Sequence, residues 1–192
     1  PPNTPRNTVD DGSNMGLEIN GLAAGLVGLE ELPLIFNAWG VDVQLNSATD
    51  AAAPTASTQK LDWANFAEDA DSLVVPEMNV GVSVDLSVSG NVSLNALGLL
   101  VAKGSFSLSL GQVSGTDGTT ALTNAQGMVL TLGTPATPVD VFVGIGGTLA
   151  NTDDNDFSDQ ATFDNDAVED DGALGFRASL ESLTLVTLKT DP

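Results

Sequence analysis

From residue 80 to residue 110, apolar side chains fall on even positions and polar ones on odd positions with few exceptions. Val80, Val82, Val84, Leu86, Val88, Val92, Leu94, Ala96, Leu100, Ala102, Phe106, Leu108 and Leu110 make the apolar series. Ser83, Asp85, Ser87, Ser89, Ser93, Asn95, Lys103, Ser105, Ser107 and Ser109 make the polar one. A period of two belongs to extended strands, whose successive side chains point to opposite faces of a sheet. The expectation is therefore an aliphatic face packed as the core and a serine-rich face turned to water. Leu97, Leu99 and Val101 break the polar series, which predicts local cover on the second face. Gly90, Gly98 and Gly104 interrupt the even series without shifting its phase. A three-residue hairpin at Ser89-Gly90-Asn91 would keep Val88 opposite Val92. Alternatively the strand runs straight through and bends at each glycine. The hairpin is the favoured reading.

The same signal recurs elsewhere. Val41, Val43 and Leu45 alternate with Asp42 and Gln44 in a strand over residues 34–46. Met128, Leu130 and Leu132 start another; Val139-Asp140-Val141-Phe142-Val143, then Leu174 to Leu180, then Leu183 to Leu188 complete the series. Residues 15–29 carry an i, i+4, i+7 leucine spacing. Their four glycines each cost about 1 kcal/mol in a helix interior, so a strand is favoured. Residues 47–59 read as a loop, and residues 61–67 as one or two helical turns that pin an aromatic pair onto the sheet. The prediction is an all-β fold, an elongated antiparallel sheet or sandwich of about ten strands with little helix, and a β-solenoid as the alternative. Residues 1–14, with three prolines, read as a linker or exchanged arm, and residues 15–192 as a single all-β domain.

Composition narrows the function. Five Lys and Arg face 26 Asp and Glu for a net charge of −21. Nucleic acid and anionic membrane surfaces are poor partners for such a chain, because binding them depends on basic residues neutralising phosphates. The chain has no His, no Cys and no Tyr. Without His or Cys the usual nucleophile–base pairs have no members, and the commonest transition-metal ligands are missing. The reading is of a protein that is not an enzyme. The start has no apolar core of a signal peptide, which fits an internal fragment or a processed chain. Gly144-Ile145-Gly146-Gly147 lacks the lysine and helix of a phosphate loop and reads as a bend. Trp39 and Trp63 read as core or rim packing rather than sugar-stacking platforms.

One segment concentrates the charge. Residues 152–171 hold nine carboxylates: Asp153, Asp154, Asp156, Asp159, Asp164, Asp166, Glu169, Asp170 and Asp171. Calcium takes six to eight oxygen ligands, and the every-other-residue spacings Asp154-x-Asp156-x-Ser158 and Asp164-x-Asp166 are those of calcium loops. Neither completes an EF-hand. These nine residues are candidate Ca2+ ligands, and a solvated acidic loop is the alternative. Asp117 in a turn and Asp10-Asp11 are lesser candidates.

Several stretches carry a resemblance. They are Leu61-Asp62-Trp63, the run from Val82 to Val92, Gly104-Ser105-Phe106-Ser107-Leu108, Val139 to Gly147, and Gly172-Ala173-Leu174-Gly175-Phe176. Together, over roughly residues 61–176, they resemble repeat units of giant, repetitive bacterial surface proteins of the adhesin type. The resemblance implies export to the cell surface, tandem arrangement and a spacer or adhesive role, with neighbouring repeats or identical subunits as partners. It brings no catalytic residues and no calcium ligands. A fibre-forming subunit that polymerises by strand exchange is a second reading, and a curled sheet carrying lipid in an apolar trough a third.

Overall fold

A computed structural model describes residues 12–26, 34–50 and 59–190 of the chain. Ten strands appear, as the alternation predicts: β1 (Gly12–Gly25), β2 (Leu34–Asp50), β3 (Val84–Ala96), β4 (Leu100–Thr116), β5 (Ala121–Leu132), β6 (Val139–Ile145), β7 (Thr148–Ala150), β8 (Ala167–Glu169), β9 (Leu174–Leu180) and β10 (Leu183–Lys189). Eight of them make one sheet in which β1-β2-β3-β4-β5-β10 are neighbours, while β6 pairs with β4 and then with β9. Every pairing is antiparallel, which sets aside the solenoid alternative. Strands β7 and β8 form a separate two-stranded ladder. Among the described residues, helix is limited to two 3-10 segments, Trp63–Asn65 and Gln160–Asn165.

Two boundaries differ from the sequence reading. Strand β1 begins at Gly12, inside the stretch expected to be linker, and β2 continues through Ser47 to Asp50. Small polar residues there pair in register, Ser13 with Thr49 and Gly16 with Asn46. The rest of the presumed arm, residues 1–11, lies outside the described residues, as do residues 27–29 and 51–58.

The expected hairpin at Ser89-Gly90-Asn91 does not form. Strand β3 runs straight through Gly90, and the β3–β4 turn sits instead at Leu97-Gly98, both with positive φ (60° and 65°). Gly90 is needed because β2 bulges against it: an added Cβ would lie 2.8 Å from Val41 Cγ2 and 3.0 Å from Val41 Cα. Gly104 has a comparable role at a fork. Leu100–Lys103 of β4 pair with β6, whereas Phe106–Thr116 pair with β5. A Cβ at Gly104 would meet the Val139 Cα at 2.8 Å. The glycines mark bends, the second of the two readings the phase allowed.

Register carries the alternation across the whole sheet. Ile19 sits opposite Val43, Val43 opposite Val88, Val88 opposite Leu108, Leu108 opposite Leu130 and Leu130 opposite Leu185. One aliphatic rung therefore spans six strands. The next rung runs through Leu17, Leu45, Leu86, Leu110 and Met128. On the β6–β9 branch, Leu100, Val143 and Phe176 continue the same face. Glu18, Asp42, Lys103, Asp140 and Arg177 take the alternate positions, on the other face, while Lys189 at the end of β10 shares the side of Leu183 and Leu185. Asp85 is the extra residue of a bulge and pairs with Lys60 at 2.6 Å. In a chain of charge −21, the aliphatic face carries no carboxylate in these ladders.

The aliphatic face is not the packed interior that the alternation suggests. Val84, Leu86 and Val88 are half-buried, not buried, and Leu174 and Phe176 are 79% and 85% exposed. The packed cluster of Val101, Phe142, Leu149 and Val168 lies on the second face, where the out-of-phase Val101 predicted cover. Ser93, expected to face water, is fully buried. Two segments account for this. Residues 59–81 lie over the β1–β2 end, where Trp63 Nε1 donates to Asn46 Oδ1 at 3.2 Å and Asn46 Nδ2 donates to the Leu61 carbonyl at 2.8 Å. Trp63 and Phe66 form the expected aromatic pair, with ring centroids 5.7 Å apart. The acidic segment from β7 to β8 covers the middle of the sheet.

Candidate functional site

The acidic segment, read as a candidate calcium loop, is a folded cover docked on the second face. Its anchor is Phe163, fully buried within the 3-10 segment. The Phe163 ring stacks on Trp39 of β2 at 5.3 Å and 20°, and packs against Phe157 at 5.3 Å and 52°. Trp39 is presented by a bulge, since β2 shifts register between Trp39 and Asp42 where Gly40 has φ of 56°. The bulge frees the Gly40 N–H, which donates to Gln160 Oε1 at 2.6 Å, and Gln160 Nε2 donates in turn to the Gly21 carbonyl at 2.6 Å. Trp39 thus serves as core, as its sequence context suggested.

Polar contacts complete the docking. Trp39 Nε1 donates to Asp164 Oδ1 at 3.2 Å. Lys103 Nζ, 5.7 Å from the Trp39 ring, donates to the carbonyls of Asp164 and Asp166, both at 2.7 Å. Asp166 Oδ2 accepts from Ser93 Oγ at 3.0 Å and from Asn155 Nδ2 at 3.3 Å. Burial pushes the Asp166 carboxyl above the usual carboxylate range; the Ser93 and Asn155 hydrogen bonds and the Lys103 charge oppose that, and Asp154 reinforces it. Burial likewise lowers Lys103, against the pull of Asp166, Asp164 and Asp140. Between cover and sheet is a cavity of about 430 Å³ lined by Trp39, Asn91, Lys103, Thr137, Asp140, Asp164, Asp166 and Arg177, among others.

The nine candidate ligands serve different ends. Asp156 accepts from the backbone and hydroxyl of Ser158 at 2.8 and 2.7 Å, which hold its carboxyl below the ordinary value. Asp159 caps the 3-10 segment through Ala161 N. Asp154 accepts from Asn165 Nδ2 at 2.8 Å, and Asp170 pairs with Arg177 at 3.3 Å. Asp153, Glu169 and Asp171 are exposed. Among the described residues, no three His, Cys, Asp or Glu side chains converge into a metal-holding group. Asp117 caps its own turn, accepting from Thr119 and Thr120 N–H at 2.8 and 2.7 Å.

Sequence reasoning missed Ser93, Lys103, Asn155, Gln160 and Phe163 as members of this site. Lys103 was the legible clue, a lone cation in a serine series beside the out-of-phase Val101. No protein family, no curated protein and no solved structure matches the chain.

Proposed function

We propose that the chain is a structural and adhesive β-module of an extracellular bacterial surface protein, and that it associates with a second copy of itself through the aliphatic face of its sheet. The observation that carries this reading is the distribution of charge against exposure. Ten large apolar side chains of that face are more than a third exposed: Leu17, Phe36, Leu100, Val143, Ile145, Leu174, Phe176, Leu180, Leu183 and Leu185. Apolar surface of this continuity on a soluble domain marks an interaction site. Two chains of charge −21 repel wherever carboxylates meet, so the face free of them is the one on which like copies approach at least electrostatic cost. Identical or neighbouring units are also the partners that the adhesin resemblance implies. The same resemblance supports export.

A second reading, polymerisation by strand addition, draws on the edges. Within the described sheet, β1 and β10 each have one strand neighbour, and β10 is exposed along its whole length. Free edges pair readily with another chain. Face-to-face association predicts a closed dimer, and edge addition predicts open oligomers.

Sedimentation velocity over a wide concentration range tests the proposal, with lipid extraction and mass spectrometry of the same sample. A reversible dimer that dissociates in the V143S/F176S variant is the expected result. A monomer at every concentration overturns the reading, and stoichiometric co-purifying lipid replaces it with lipid carriage.

A further inference from the structure

On the covered face, opposite the proposed association surface, two buried polar atoms have no partner among the described residues: Asp166 Oδ1 and Asn155 Oδ1. Asp166 is 4% exposed, and it lines the cavity between cover and sheet. Its other oxygen is satisfied by Ser93 and by Asn155 Nδ2, so the two residues stand side by side. Both orphaned atoms are acceptors. Reversing the Asn155 amide would not help, because its oxygen would then face the already occupied Asp166 Oδ2. Lys103 is near, yet two of its three N–H donors go to the backbone carbonyls of Asp164 and Asp166, and none bonds Asp166 Oδ1.

Leaving a buried acceptor unmade costs about 1–3 kcal/mol, and more when it is charged. Such a site calls for an occupant that needs acceptors alone. Water could satisfy the two oxygens but would leave the carboxylate charge buried. The surroundings hold charge of both signs: Lys103 attracts Asp166 and Asp154 repels it, while Arg177, Asp140 and Asp164 line the same cavity, so carboxylates outnumber cations around it. A cation answers both demands.

We infer that Asp166 Oδ1 and Asn155 Oδ1, with Asp154 beside them, form a binding site for a hard divalent cation, best suited to calcium, which fastens the acidic cover to the sheet. Carboxylate and amide oxygens are hard-cation ligands, and calcium accepts irregular sets completed by water where magnesium demands near-ideal octahedral geometry. Two or three protein oxygens are few, so affinity falls in the weak class of extracellular modules, Kd on the order of 10⁻⁴–10⁻³ M. The site uses Asp166 and Asp154 of the nine acidic candidates, and adds Asn155, which a search for carboxylates overlooks.

Terbium luminescence sensitised by Trp39, on the full chain stripped with chelator, tests the inference alongside Ca2+ competition and hydrogen exchange of residues 148–170. Expected are terbium emission displaced by millimolar calcium, slower exchange of the cover in calcium, and at least tenfold weaker binding in D166N. Because D166N could loosen the cover by itself, N155D supplies the second arm. At a cation site the added carboxylate tightens calcium binding several-fold, and the cover becomes calcium-dependent. At a site held by water or a proton, N155D loosens the cover equally with and without calcium, which overturns the inference. Wild-type exchange indifferent to 10 mM calcium, on the order of ten times the weakest expected Kd, overturns it as well.

Discussion

Removing the Phe163 ring with F163A should release the acidic cover without unfolding the sheet beneath it. Phe163 is fully buried, and its neighbours Trp39 and Phe157 belong to opposite sides of the contact. Truncating a buried Phe to Ala costs about 3–5 kcal/mol, of which roughly 0.5–1.5 kcal/mol reflects ring–ring geometry. No other large apolar side chain of the 3-10 segment is buried, so the segment itself offers nothing to refill the space. The other contacts of the cover, which include the bonds from Gly40 to Gln160, from Lys103 to two carbonyls and from Trp39 to Asp164 and the burial of Leu149 and Val168, are untouched by the substitution and do not lessen the loss. A drop of 3 kcal/mol or more raises the open population roughly 10²-fold or more. Trp39 reports this directly. In a W63F background its emission should shift to the red and become accessible to acrylamide, while amides of residues 148–170 lose protection and those of β3 and β4 keep theirs. Leu73, 85% exposed, gives the control: L73A should change stability by less than about 0.5 kcal/mol. Unchanged Trp39 emission in F163A, or loss of β3 protection together with that of the cover, refutes the argument that Phe163 holds a separable cover.

Other expectations rest on the same geometry. S93A leaves Asp166 Oδ2 with only Asn155 and should cost about 1–3 kcal/mol of cover stability, read by exchange of residues 148–170. Burial holds the Asp166 carboxyl above its ordinary 3.8, so the docked cover binds that proton more tightly than the open one. In chelator, its contribution is therefore full below pH 3.8 and is lost as pH rises through the elevated value; D166N removes this component, and identical pH profiles for the two proteins would count against it. At Gly147 an added Cβ would lie 2.3 Å from Phe142 Cδ1, whereas Gly115 has open space around it. Urea melts should accordingly show G147A losing roughly 1–3 kcal/mol and G115A changing by less than about 0.5 kcal/mol.

The strands and, between bulges, the side on which each residue lies were readable from period two, because pleating makes face assignment a matter of parity; the bulge of β2 between Trp39 and Asp42 breaks that parity, so that Phe36 and Val43 share a face. Which face becomes the interior was not. Parity ranks faces by hydrophobicity, and the aliphatic face wins that comparison; occupancy depends on where residues 148–170 land, with Asp166 73 and 63 positions from the Ser93 and Lys103 it covers. Val101, with Lys103 beside it, carried a local trace of that cover and pointed to the right face, whereas Leu97 and Leu99, out of phase in the same way, are exposed. Gly90 and Gly104 were ambiguous for a related reason. A hairpin and a bend both preserve phase, and only the approach of Val41 and Val139 distinguishes them. The acidic segment was legible in part. Its carboxylate spacing resembles a calcium loop, while capping, ion pairing and side-chain hydrogen bonds employ Asp154, Asp156, Asp159, Asp164 and Asp170. The atoms left over, Asp166 Oδ1 and Asn155 Oδ1, become visible only once burial is known.

Cysteine chemistry tests the central claim most directly, since the chain has none of its own. V143C places a thiol on the aliphatic face, and T184C places one on the opposite face, where Thr184 pairs with Thr131 and is exposed. Self-association through the aliphatic face predicts that V143C is shielded from maleimide and cross-links into dimers as concentration rises, while T184C reacts freely as a monomer. Equal labelling of both positions at every concentration, with no cross-link specific to V143C, would contradict it.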